Sequence, residues 1–320
     1  MLHNPRFGHV LVLRCVAFAW HDEVMRWPEW MIYQIPASAT PGFRSRRPNS
    51  LRDGARQVLA AISGTALLGP KSGVVWRGHA DVAWRLESKA SREQLSPDEV
   101  AAREQEMLRE ARRLGVDGAQ RMGDWEILAR LRHHGAITRL IDATTDPFIA
   151  LWFLCEDGSA QAKEADGLLL AIQRSTFTEI QQPYRTDSYP EMLRKPPAAL
   201  IYSTPPIDPR IAAQRGLFVL HSQPLSAEAS PASELGPVLP PSKAWPAKHQ
   251  EYLARVCGSD PLTEDLGRPQ FQFPDMLGIL VPAAVKPVLS DMLRHNFGFS
   301  RASIFPDFAG LGEVYSRPLG

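Results

Sequence analysis

Cysteine is scarce in this chain: three in 320 residues (Cys15, Cys155, Cys257), with no C-x-x-C and no His/Cys cluster at metal spacing. That excludes a disulfide framework and a structural zinc site and fits a reducing, cytoplasmic setting. An excess of one charge is also missing. A formal net charge of +1 gives no global pull toward nucleic acid or a membrane, so an anionic partner has to meet a local patch. Long apolar runs are absent too. The nearest, Val10 to Trp20 with Ala17 and Ala19 at cleavage-like spacing, is interrupted by Arg14 and falls far short of the roughly 20 residues a spanning helix needs, so it reads as a soluble extension. Neither G-x-G-x-x-G nor a Walker loop occurs, and no internal repeat is visible.

What is present is ordinary globular composition, 44% hydrophobic and 22% charged, enough to bury a full core. Residues 1–48 read as an extension and a Pro/Ser/Arg-rich linker, and residues 49–320 as the working domain, with a Pro/Ser/Ala-dense surface insertion near 224–246. Asn49 and Ser50 are placed to cap a helix whose apolar face is Leu51, Ala55, Val58, Leu59 and Ile62. Strands are expected at GVVWRG and VAWRLESK, separated by a turn, and at AITRLID, GLLLAIQ, AALIYS, GLFVLHS and LGILVP. Helices are expected over Asp98 to Leu114, from an Asp124 cap to Gly135, over FIALWFLCE with Pro147 at its first position, and over Ala284 to Asn296. Strands and helices alternate without a βαβ period, which predicts an α+β fold.

Two segments hold polar residues at the ends of short apolar runs. In the first, Arg77 closes a strand and is followed by Gly78. A guanidinium there suits a pyrophosphate or carboxylate held through two hydrogen bonds; the alternative is an interior arginine paired with an acid such as Asp142. In the second, HHGAITRLIDATTDP, the side chains of Thr138, Arg139, Asp142, Thr144 and Thr145 cannot all be solvated in a central strand. Those that are buried form either a structural polar network or a site. His133 and His134 close a helix, where imidazolium complements the dipole. Gln214 and Arg215 precede the strand opened by Gly216, at a turn from which a side-chain amide can orient a hydroxyl. Trp76, Trp84, Trp152 and Phe153 read as core or pocket wall, and the arginines at 44–56 and 103–121 as solvated faces and arms.

These two blocks resemble the FRG family, named for an aromatic-Arg-Gly motif. Here the motif is Trp76-Arg77-Gly78, and the second block matches through His133, Gly135, Thr138, Arg139, Leu140, Asp142, Thr144, Pro147, Ala150, Leu151, Trp152 and Phe153. His134 and Ala143 depart from the family's aromatics. Arg210 to Phe218 and Ser303 to Leu311 match more loosely, which extends the resemblance over residues 50–315. The order of motifs is similar to that of ADP-ribosyltransferase folds. The resemblance therefore implies a mixed, mostly antiparallel split sheet with flanking helices, and NAD as substrate. Arg77, Thr138 and Gln214 are the implied catalytic set, lined by Trp76, Gly78, His134, Gly135, Arg139, Asp142 and Thr144; no metal is implied. Gln214 stands where such enzymes often carry Glu, and Glu313 is a possible substitute. The implied activity is transfer of ADP-ribose to a macromolecule, protein or RNA, or cleavage of NAD, as in a bacterial toxin or anti-phage effector restrained by an antitoxin. A non-catalytic nucleotide or nucleic-acid binding module uses the same arginines, and a metal-free hydrolase is a third possibility.

Overall fold

In a computed structural model, residues 15–16, 30–34, 50–84, 86–156, 159–180, 189, 199–205, 208–221 and 276–315 are described. The Pro-rich insertion expected near 224–246 lies outside them. The strands are β1 (Cys15–Val16), β2 (Trp30–Gln34), β3 (Val74–His79), β4 (Ile141–Thr144), β5 (Gly167–Gln173), β6 (Thr178–Glu179), β7 (Ala199–Tyr202), β8 (Gly216–His221) and β9 (Met276–Val281). They form one open mixed sheet in the order β1-β2-β9-β5-β3-β4-β8-β7-β6. Every neighbour pair from β9 to β7 is antiparallel, and only β2/β9 and β6/β7 run parallel. The expected α+β, mostly antiparallel architecture is what the chain adopts, as one continuous open sheet where the resemblance implied a split one. Residues 15–16 and 30–34, in the stretch read from sequence as an extension, add two strands at the β9 edge.

Helices flank the sheet: α1 (Ser50–Leu68), α2 (Lys89–Arg92), α3 (Pro97–Leu114), α4 (Asp124–His133), α5 (Pro147–Cys155), α6 (Ala160–Glu164), α7 (Pro209–Ala213), α8 (Lys286–Phe297), α9 (Arg301–Ile304) and α10 (Phe308–Tyr315). Their ends follow local chemistry. Ser96 and Glu99 form a capping box at the start of α3, and Gly115 ends that helix in the left-handed region. The Asp146 carboxylate accepts from the Phe148 and Ile149 amides, with Pro147 next in line, as the TTDP signature implies. Asp124 is not the cap expected of it. Gly123 holds that position, while the Asp124 carboxylate pairs with Arg112 and accepts from the Tyr189 amide.

Strand alternation sorts the interior into three clusters. On one face, Trp76, Leu169, Ala171, Leu277 and Ile279 pack under α1, α5 and α8. On the same face at the other end of the sheet, Leu200, Tyr202, Phe218 and Leu220 pack against Trp125, Leu128 and Leu108 of α3 and α4. The opposite face carries Val75, Ile141, Ala143, Leu170, Leu217 and Val219. Fully burying side chains of this size stabilises the fold by about 1.5–3 kcal/mol each. The nine residues of α5 are apolar all round because they lie inside the first cluster. Among the described residues no helix is long and apolar enough to cross a membrane.

Two expected strands are corrected. VAWRLESK is no strand: residues 82–84 and 86–88 make turns and coil that lead into α2, with the Val82 amide donating to the Asp166 carbonyl. AITRLID forms a strand only at its end, since β4 starts at Ile141. Upstream, the backbone groups have other partners. The Arg139 amide donates to the Glu104 carboxylate, the Leu140 amide to Thr138 Oγ1, and the Ala90 amide to the Thr138 carbonyl, which leaves no ladder to form.

A candidate anion site at the break between two central strands

The sheet has a weak seam at its centre. β3 pairs with β5 along six residues, but with β4 only through Trp76↔Thr144. Past that pair the two strands part, and the seam coincides with the junction between the two helix-covered clusters. Arg77 lies at this break. Its Nε donates to His79 Nε2 at 3.1 Å and its Nη1 donates to the Asp142 carbonyl, an acceptor no partner strand claims. Its remaining terminal nitrogen, Nη2, has no acceptor among the described residues. Burial, only partly opposed by the charge of Asp142, lowers the Arg77 pKa to about 10, with Arg132 and Arg92 adding to the fall. The group stays cationic at neutral pH, but it is a poorly solvated cation with its Nη2 uncommitted.

His79 is the acceptor that holds it. Burial first, then the charge of Arg77, drops the imidazole to about 3, so it is neutral and its Nε2 is free to accept. Its ring lies 6.4 Å from that of half-exposed Trp84. Across the break, the Asp142 carboxylate receives Arg132 Nη2 at 2.6 Å. Burial works to raise that carboxyl, yet the charges of Arg132, Arg77 and His133 and the Arg132 hydrogen bond outweigh it. Asp142 is held below the ordinary carboxylate range. In register, Asp142 faces Phe218 and Thr144 faces Gly216. His133 stands edge-on to Phe218 at 5.2 Å, so the ring lies beside Asp142 on the same face. An ideal Cβ on Gly216 would lie 3.6 Å from His133 Nε2. Neither ring nitrogen of His133 is hydrogen-bonded among the described residues. Burial lowers its pKa, with Asp142 and Asp208 opposing and Arg210 and Arg132 assisting, so the imidazole is neutral near pH 7.

The other sequence-derived residues divide. Thr138 is fully buried and its hydroxyl accepts from the Leu140 amide. Gln214 is buried as well: its amide donates to the Ile304 carbonyl at 3.1 Å, and its own carbonyl accepts from Thr144 Oγ1 at 2.7 Å. Thr144 Oγ1 also accepts from the Asp146 amide, tying β4 to the start of α5. Arg139 is 2% exposed and gives Nε to Glu104 at 2.7 Å and Nη2 to Tyr189 at 2.8 Å, while the Tyr189 hydroxyl donates to Glu104. That is a structural ion pair between β4's approach and α3. Trp76 is 3% exposed and belongs to the first cluster. Gly78 serves packing: a Cβ there would lie 1.9 Å from the Ala150 carbonyl in α5. His134 and Gly135 are exposed; Gly135 has φ +91° and its carbonyl accepts from Lys89 Nζ at 2.7 Å. Glu313 falls on α10, with its side chain outside the described residues.

The structure therefore brings the Arg77 guanidinium, from the Val75 face of β3, to the Asp142 carbonyl at one break, with the Asp142 side chain on the Trp76 face, and keeps Thr138, Gln214, Arg139 and Trp76 in the interior. It adds two residues that sequence reasoning passed over, His79 and Arg132, and corrects a third: His133, expected as an imidazolium at a helix end, is pushed toward the neutral form by burial. Alternation along β3 puts His79 two residues from Arg77 on the same face, a signal the sequence did contain. That Arg132 and His133 reach Asp142 was not legible without the packing of α4. Among the described residues no group of three His, Cys, Asp or Glu could hold a metal ion.

Residues 72–163 match the family model described as FRG domain. Neither a curated protein nor a solved structure matches the chain.

Proposed function

With an FRG domain at residues 72–163 as the premise, we propose that the break between β3 and β4 binds the phosphates of a nucleotide, NAD first among them, and that the protein is ADP-ribosyltransferase-like. It transfers ADP-ribose to a macromolecular acceptor or cleaves NAD, as a toxin or anti-phage effector would. The observation that carries the reading is Arg77: a cation with its plane fixed by His79 and the Asp142 carbonyl and its Nη2 left over. An anion placed there meets a preorganised guanidinium in a poorly solvated setting, where a charge-assisted hydrogen bond is at its strongest. Arg132 and the exposed Arg92 add positive potential.

The chemistry asks mainly for position. The bond from nicotinamide to ribose breaks through an oxocarbenium-like state, so holding the phosphates and setting a negative charge nearby lowers the barrier. Asp142 supplies a carboxylate that stays ionised, the charge Gln214 lacks. Thr138 and Gln214 act in this reading through the frame, fixing the approach to β4 and the end of α7. A second reading is a nucleotide-binding module without catalysis. It is favoured by those same two residues, whose polar groups are buried and engaged.

The test is calorimetric binding of NAD to the purified chain together with chromatographic detection of nicotinamide. Arg77→Ala is expected to weaken NAD binding at least about tenfold, the loss of one charge-assisted contact of about 1.5–3 kcal/mol. Nicotinamide release by the unaltered protein supports the enzyme; binding without release supports the module. Full affinity in the Arg77→Ala protein, with its melting temperature unchanged, removes the site.

A further inference from the structure

Building on the NAD reading, we propose that His133 is the general base of the reaction and that its acceptor is an uncharged O–H group, water or a hydroxyl, rather than a cationic side chain. His133 ends α4 with its ring over Gly216 and against Phe218 on β8, and cross-strand register puts Asp142 alongside. Both ring nitrogens lack hydrogen-bond partners among the described residues, while the backbone beneath is anchored. The His133 carbonyl accepts Arg210 Nη1 at 2.9 Å, and Arg210 is in turn clamped by Asp307 through Nε at 2.6 Å and Nη2 at 2.9 Å. The imidazole is thus held at a fixed place with its proton-accepting nitrogen uncommitted.

The groups facing it set what it can do. From α4 comes Arg132, from β4 Asp142, from the start of α7 Asp208 and Arg210. Burial and the two arginines keep the ring neutral at neutral pH, ready to take a proton. Arg210 is matched by Asp307, but around the Asp142 carboxylate Arg132 and Arg77 outnumber the single acid, so a guanidinium or ammonium acceptor entering on that side meets repulsion. A neutral hydroxyl does not. In the step, a lone pair of the O–H oxygen forms the bond to the ribose C1′ and the C1′–N bond breaks. Its electron pair goes to the departing nicotinamide, which leaves neutral, and the hydroxyl proton passes to the imidazole. Asp142 lies beside the imidazolium so formed and stabilises it.

The experiment measures nicotinamide release from NAD by the full chain between pH 5 and 8, with NAD affinity measured in parallel, for the unaltered protein, His133→Gln and His133→Ala. The expected results are a rate that rises with pH through a group titrating below 6.5 and a loss of about 100-fold or more in His133→Gln. NAD affinity should stay within a few-fold and the pH limb should vanish. Added imidazole restores part of the rate of His133→Ala, which a purely structural histidine would not allow. Agmatine, a guanidinium acceptor, is left unmodified, while ADP-ribose or an O-linked product accumulates. A His133→Gln protein that keeps the rate and the limb, or agmatine modified in preference to water and hydroxyls, overturns this inference and leaves the NAD reading standing. NAD bound with no nicotinamide released under any of these conditions overturns this inference together with the enzymatic reading and leaves the binding module.

Discussion

Gly78→Ala separates two meanings of the W-R-G motif. The sequence suggests that glycine lets a ligand approach the backbone, whereas the fold uses it to seat α5 on β3. A Cβ at residue 78 would lie 1.9 Å from the Ala150 carbonyl oxygen and 3.0 Å from the Leu154 nitrogen. Both are helix backbone, so neither can rotate out of the way, and relief requires moving α5 as a body. That helix sits in the first core cluster through Ile149, Ala150, Leu151, Trp152 and Leu154, all at 3% exposure or less. Overpacking of a dense core costs about 1–3 kcal/mol, and a backbone clash this close lies at the upper end. At about 2–4 °C per kcal/mol for domains of 150–250 residues, the melting temperature should drop by several degrees and up to about 12 °C. Gly312→Ala is the control, because a Cβ there meets nothing within 4 Å. Differential scanning calorimetry of both variants, with ligand affinity measured on the folded fraction, gives the answer. A Gly78→Ala protein that melts like the parent but no longer binds nucleotide would refute the packing argument and return the glycine to the ligand.

Other consequences are as direct. Glu104→Ala removes the buried carboxylate that accepts from both the amide and Nε of Arg139, so stability should fall by about 3–5 kcal/mol in denaturant melts; a loss under 1 kcal/mol would mean the pair is relaxed in solution. The depressed His79 pKa makes a signed prediction about acid. The unfolded chain binds a proton at 6.5 and the folded one at about 3, so stability is intact above pH 6.5 and declines as the pH falls below it, by about 2 kcal/mol at pH 5 from this group alone. Urea melts at pH 7 and pH 5 should show this slope in the parent and a shallower one in His79→Phe. An equal slope in both would move the acid sensitivity elsewhere. Arg77→Ala and the His133 substitutions complete the set, with calorimetry and nicotinamide release as their readouts.

How far the sequence could be read depended on the range of the interactions. Where an element is built from contacts a few residues apart, as in the Ser96/Glu99 capping box, Asp146 and Pro147 at the head of α5, or the Gly115 and Gly298 termini, the residues themselves announced it. AITRLID misled because its β-branched, apolar composition is locally strand-like while its amides are taken by Glu104 and Thr138, one of them 35 residues away. VAWRLESK failed in the same way, its first amide claimed by Asp166.

By itself the chain's order of residues determined the periodicity of strands and helices, hence an α+β core, and it concentrated polar residues around Arg77 and residues 133–146. It could not apportion them. Arg139 and Asp142 stand three residues apart in one motif, yet one is locked in the interior with Glu104 and the other opens onto the break with Arg132 and Arg77. That division was decided by tertiary structure, because it depends on where two strands cease to pair and which helix ends above the gap. Burial and desolvation then set the charge state of His79, His133 and Asp142, and these are properties of the assembled fold that no spacing of residues encodes.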